Sequence, residues 1–203
     1  MATTTNSKKK TPAKTATNKK SSASKRSSSP ANAGAGKGDS LLREYFVESL
    51  QDIYYAEKAI TKALPKMMEA ATSSELIGAF EDHLTVTEEQ ITRLEQVFES
   101  IGEQAKGKKC EAIDGLIKES ESIIEDTDEG TATRDVGLIM SGQKVEHYEI
   151  ATYGGLVQLA LTLGYDEASG LLQQTLDEEK ETDVLLTGIA ENNVNYEASE
   201  ETE

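Results

Sequence analysis

Beyond residue 40 the apolar residues recur every three or four positions, the period of an amphipathic helix, and no stretch alternates as a strand would. The first long helix carries Leu42, Phe46, Leu50, Ile53, Glu57, Ile60 and Leu64 on one seam, with Asp39-Ser40 as its N-cap signal. Pro65 is expected to kink or interrupt it, with another turn over 67–71. The turn at 72–75 leads into a second helix over 74–101, with Leu76, Phe80, His83, Thr87, Ile91, Leu94, Phe98 and Ile101 on its seam. Gly102 ends that helix. A polar linker over 103–109 precedes a short amphipathic helix over 110–125, predicted to cross the end of the bundle. A third long helix spans 131–163 and is capped by Gly164. The fourth runs over 166–193 with Ala168, Leu172, Thr175, Glu179, Asp183, Leu186 and Ala190 on its stripe.

Two helical hairpins joined through a short helix predict an all-α fold, a four-helix bundle with one long crossover. The bundle is expected over residues 40–194. Residues 195–203 read as a frayed, acidic C-terminus.

Charge divides the chain. Residues 1–39 hold nine of the 21 Lys and Arg and a single acid, Asp39, while the remainder holds 12 bases and 36 acids. The first segment is Lys, Ser, Thr, Ala, Asn and Gly with no large apolar residue after Met1, so it reads as a disordered basic tail. Its lysines suit sequence-independent contact with DNA phosphates through residues 1–37, or a solubilising linker. The acidic body should stay soluble through self-repulsion. No run of 18 apolar residues is present, so no membrane partner is expected, and the start lacks a secretory apolar core. The single cysteine, Cys110, fits a reducing compartment, and the expected location is cytoplasmic.

The seams carry chemistry. At about 100° per residue, Glu146 lies within roughly 40° of Ile139, Ile150, Tyr153, Val157 and Ala160, and Glu149 falls about 60° to one side. Two carboxylates thus occupy a stripe that faces the core, where an unpaired charge costs several kcal/mol. Glu57, His83, Glu179 and Asp183 stand on the other seams. In an antiparallel hairpin, residues equidistant from the turn share a level. The midpoints of Glu149 with Glu179 and of Glu146 with Asp183 both fall at Gly164-Tyr165, the predicted turn. Glu57 and His83 are centred about three residues before their turn, an offset that a break at Pro65 would absorb. A cation is the expected compensation, with Glu57, His83, Glu146, Glu149, Glu179 and Asp183 as its ligands. A carboxylate-rich set with one histidine suits iron or manganese. Tyr54, Tyr55, Tyr148 and Tyr153 are candidate hydrogen-bonding neighbours or plain boundary packing, and His147 reads as a boundary residue. No phosphate loop, Cys-x-x-Cys pair or nucleophile elbow is present.

Leu-Pro-Lys-Met at 64–67, Phe-Glu-Asp-His-Leu at 80–84, Arg-Leu-Glu-Gln-Val-Phe at 93–98, Lys-Val-Glu-His-Tyr-Glu-Ile-Ala at 144–151 and Leu-Asp-Glu-Glu-Lys at 176–180 resemble the YciF-like family of ferritin-like bacterial and archaeal stress proteins. The resemblance covers residues 41–190. It implies a ferritin-like bundle with an extra short helix, a homodimer and a stress-response role. Glu146 and Glu149 match the Glu-x-x-Glu of a rubrerythrin-like third helix, and Glu57 the first-helix Glu. Two helices depart from that pattern: Phe80 stands where a Glu would precede His83, and Thr182 follows Glu179 at i+3. Di-iron and a single ion therefore both remain open. With iron, the implied work is oxidation of ferrous iron by oxygen or peroxide, as an iron-dependent oxidoreductase of ferroxidase or peroxidase-like type. The reading from another class is a DNA-associating protein whose bundle is a dimerisation scaffold.

Overall fold

The computed structural model describes residues 40–202, so the tail of 1–39 and its expected DNA contacts, with Glu203, lie outside the described residues. Four long helices form, α1 (Leu41–Ala70), α2 (Ser74–Ser100), α4 (Ala132–Leu163) and α5 (Asp166–Ile189), with the short α3 (Glu111–Asp126) and α6 (Asn195–Glu200). Side-chain caps open three of them. Ser40, Ser73 and Thr131 accept from the backbone N–H of Arg43, Leu76 and Arg134, satisfying donors the first turn leaves free. Gly102 and Gly164 both take φ 74°, the left-handed conformation that ends α2 and α4. Among the described residues no helix is long and apolar enough to cross a membrane.

Pro65 does not interrupt α1, one of the two outcomes expected of it: the helix continues through it to Ala70. Pro65 is exposed, so the carbonyl it leaves unpaired one turn earlier is within reach of water.

The helices pack as a ring in which α1 touches α2 and α4, and α5 touches α2 and α4. The short α3 does not cross the end of the bundle, as the sequence suggested, but lies lengthwise along the flank. Cys110, Ser120 and Thr127 meet Tyr148, Ser141 and Arg134, so α3 runs antiparallel to α4. Asp114 and Glu121 meet Tyr55 and Lys66, so it runs parallel to α1. Its Ile113 is fully buried, and small residues on α4 let it approach: a Cβ on Gly137 would stand 2.6 Å from Ile123 Cγ2. This lengthwise return carries the chain back, so α4 starts where α2 starts. There the Asp135 carboxylate accepts from the backbone N–H of Thr72 and Ser73, at 2.8 and 2.7 Å. Parallel α2 and α4 then keep a constant offset of 63 residues, the same for Thr72–Asp135 and for His83–Glu146.

The C-terminus also differs from expectation. After a π-helical turn, Ala190–Val194, residues Asn195–Glu200 are helical rather than frayed. The Glu201 carboxylate accepts from the N–H groups of Ala132 and Thr133 and from the Thr133 hydroxyl, at 2.7, 3.0 and 2.7 Å. A carboxylate is favoured on the free donors at the start of a helix, and this one is held below its ordinary pKa by those bonds.

Candidate metal centre

The buried carboxylates converge. One ligand atom each from His83, Glu146, Glu149 and Glu179 lies within 4.8 Å of all the others, and all four residues are buried. They come from α2, α4, α4 and α5, and fixed helix register aligns them. Glu57 of α1 sits at one end of this group: its carboxylate accepts from Tyr153 Oη, and it is close enough to Glu149 to share a proton with it. Glu57 stands outside the group of four that shares ligand atoms within 4.8 Å, and α1 carries it there in a helix that continues past Pro65.

Asp183 does not join the cluster. It lies at the rim, where Gln143 Nε2 donates to it at 3.2 Å and His147 Nε2 approaches to 3.5 Å. His147 itself is mostly exposed, in keeping with its reading as a boundary residue. Tyr153 is fully buried and bonded to Glu57, whereas Tyr148 bonds Cys110 Sγ at 3.3 Å and Tyr54 bonds Glu95.

The neighbours define the state of each group. Thr182 Oγ1 lies 3.4 Å from His83 Nδ1 and 3.2 Å from the Glu178 carbonyl. On the other side of the ring, Nε2 faces Glu146 Oε1 at 3.3 Å without a hydrogen bond between them. Burial pulls His83 down to about 4, so it is neutral at pH 7. Burial, and then the Glu179 charge, push Glu57 up to about 8. Burial raises Glu179 to about 7, though Gln90 and Arg93 oppose it, and raises Glu146 and Glu149 well above the carboxylate range.

With all carboxylates ionised the group is short of donors. Glu57 Oε2, His83 Nε2, Gln90 Oε1, Glu146 Oε2, both oxygens of Glu149 and Glu179 Oε2 are buried with no hydrogen-bond partner. Such atoms are rare in folded proteins and call for an explanation. Protonation gives one, as Glu146 with Glu179 and Glu149 with Glu57 can each share a hydrogen. A divalent cation gives another, and this set of several carboxylates and one neutral imidazole fits iron or manganese.

Sequence reasoning missed the clamp behind Glu179. Arg93 makes a bidentate pair with Glu178, at 2.6 and 2.8 Å, and also donates to Thr175. Gln90 Nε2 donates to both Glu178 and Glu179. The one available signal was spacing, since Gln90 and Arg93 follow His83 by two and nearly three turns of α2.

A family model described as a domain of unknown function, DUF892, matches residues 41–199. Protein YciF of Escherichia coli (strain K12) is 48% identical over 158 residues, which is 77% of this chain and 95% of that relative. The solved structure of the E. coli stress protein YciF superposes with a TM-score of 0.74 at 47% identity, covering 77% of this chain and 99% of that one. YcfI of Rhodopseudomonas palustris, proposed to be a structural protein, superposes at 0.71 with 40% identity over 76% of this chain and 98% of its own.

Proposed function

The chain belongs to the DUF892 family, and we propose that its bundle is a divalent-metal site, iron first and manganese second, that serves an oxidative stress response. The observation that carries this reading is the set of seven buried polar atoms without partners around His83 and the four glutamates. A purely structural bundle gains nothing from this arrangement, because apolar residues of similar volume would be at least as stable there. His83, Glu146, Glu149 and Glu179 are the ligands of this proposal, Glu57 borders them, and Asp183 is left outside.

An iron ion held there would supply one-electron chemistry, so that ferrous iron is oxidised by dioxygen or peroxide. The chain's own residues prepare the site. With His83 Nε2 on the cation, its Nδ1–H would donate to Thr182 Oγ1. Gln90 holds Glu179, and the Arg93–Glu178 pair holds Gln90 from the far side. Tyr153 fixes the rotamer of Glu57. The carboxyls that hold protons in the metal-free core release them as a cation enters, so binding should acidify a weakly buffered solution and tighten with rising pH.

The test is anaerobic titration of chelator-treated protein with iron(II), followed by addition of dioxygen or peroxide while ferric absorbance is recorded. The proposal expects saturable binding, proton release and oxidation faster than in free solution, all lost in Glu149→Gln and Glu179→Gln. Iron(II) oxidation unchanged by the protein, with no proton release, would discard it.

A further inference from the structure

A small, partly open cavity of about 20 Å³ abuts the His83–Glu146 end of the core. Its walls are almost wholly apolar, with Leu64, Met67, Phe80, Val145 and Leu186 prominent among them. Four polar side chains also reach it: Ser120, Thr182, His83 and Glu146. Two of these are committed elsewhere. Ser120 Oγ bonds Ser141 and the Leu116 carbonyl, and Thr182 Oγ1 bonds His83 Nδ1 and the Glu178 carbonyl. The unpartnered atoms on this wall are His83 Nε2 and Glu146 Oε2. In the proposed function both belong to ligands, so in the loaded protein the cavity offers a guest no uncommitted hydrogen-bond partner.

We propose that this cavity is a holding site for one small apolar molecule of diatomic size, dioxygen being the physiological candidate. The volume exceeds the 10–15 Å³ or so that one water needs, but a buried water also needs two to four polar partners, and apolar cavities stay dry. Hydrogen peroxide has the same need for partners, so the cavity selects dioxygen over peroxide as the oxidant that waits beside the site. A surface groove of about 210 Å³ on α2 and α5 adjoins it, sharing Ala79, His83 and Thr182 with the cavity. The cavity depends on a residue with no side chain. A Cβ at Gly142 would enter it, 3.2 Å from Leu186 Cδ1 and 3.6 Å from Phe80 Cε1.

Both the dry cavity and its consequence for oxidant choice rest on the proposed function, because a bound cation is what takes up the free atoms of His83 and Glu146. The experiment is methyl NMR of protein loaded with diamagnetic zinc under several atmospheres of oxygen, which is paramagnetic, with argon as reference. Oxygen-induced relaxation of the Leu186 methyls should exceed several-fold that of the equally buried Leu94 and Leu172 methyls, with Leu64 and Val145 following Leu186. Gly142→Ala should bring the two groups level while the spectrum stays folded, and Ala79→Leu, which narrows the shared wall, is the second variant should Gly142→Ala unfold. In metal-loaded protein, Gly142→Ala should slow oxidation by dioxygen several-fold and leave oxidation by peroxide unchanged. Uniform relaxation across all buried methyls would overturn the holding site, and so would water cross-peaks to the Val145 or Leu186 methyls in loaded, diamagnetic zinc protein. Metal binding without the oxygen effect would remove this inference alone. Failure of the protein to bind metal would remove the proposed function and this inference with it.

Discussion

Raising the pH of the metal-free protein should destabilise it, and the core sets the size of the effect. Burial, and then Glu179, lift Glu57 from 4.5 to about 8, while burial lifts Glu179 to about 7. In each case the folded state keeps a proton that the unfolded chain has already released. The stabilisation is complete below the unfolded pKa of 4.5 and is lost as pH rises through the folded values, between about 7 and 8. His83 has the opposite sign. Its folded value of about 4 lies below the unfolded 6.5, so its contribution is present above 6.5 and is lost as the solution is acidified towards 4. Two raised carboxyls outweigh one lowered histidine, so stability should be highest near the unfolded carboxylate value of 4.5 and fall as the pH rises. One pKa unit is worth about 1.4 kcal/mol, and the carboxyls share protons, so their shifts do not add. Taking the Glu57 displacement as the scale gives a loss of about 3–5 kcal/mol between pH 5 and pH 9. That is a large part of a net stability of roughly 5–15 kcal/mol, and it moves a urea midpoint by about 2 M. The assay is urea denaturation across this pH range with chelator present. Self-repulsion of the acidic surface gives a slope of the same sign, so the decisive comparison is Glu57→Gln, which should flatten the alkaline limb and leave the surface charges in place. An alkaline limb equally steep in Glu57→Gln would refute the reasoning, because Glu57 would then contribute nothing to the loss.

Further outcomes follow from the same geometry. Glu201→Ala removes three hydrogen bonds at the start of α4 and should lower the melting temperature while raising amide exchange over residues 195–200, with calorimetry and exchange as the measurements. Gly137→Ala drives a Cβ against Ile123 and should destabilise by about 1–3 kcal/mol in chemical denaturation, whereas an α3 lying across the end of the bundle would leave it neutral. If six to nine cations of residues 1–37 contact DNA phosphates, log affinity should fall with log salt at a slope near −5 to −8, and a protein starting at Ser40 should not bind, as read by anisotropy.

Charge on an apolar stripe made Glu57, Glu146, Glu149 and Glu179 legible, because little else places a carboxylate between core residues on a regular helix. The Gly164 turn gave the register of α4 against α5, and the structure keeps it. Asp183 misled because it lies within about 40° of Glu179 on the wheel, a difference that at the edge of a stripe decides between core and rim. At the rim Gln143 and His147 meet it. The position of α3 was not legible, since a short amphipathic helix says which face it buries but not against which helices. The Arg93–Glu178 pair was equally hidden, because long charged side chains at a core boundary look like ordinary surface. Glu201 carried no local pattern at all, as its partners stand nearly 70 residues earlier.

The central claim is that the buried glutamates and His83 exist to hold a cation, and the direct measurement is calorimetric titration of chelator-stripped protein with iron(II) or manganese(II) under argon, run beside Glu149→Gln. The account predicts saturable binding by the native chain, with protons released into buffer, a melting temperature that rises with metal by about 2.7 kcal/mol of stabilisation at 100 times the dissociation constant, and loss of all three in the variant. A melting curve that no divalent metal shifts, with no binding heat beyond that of the variant, would contradict it.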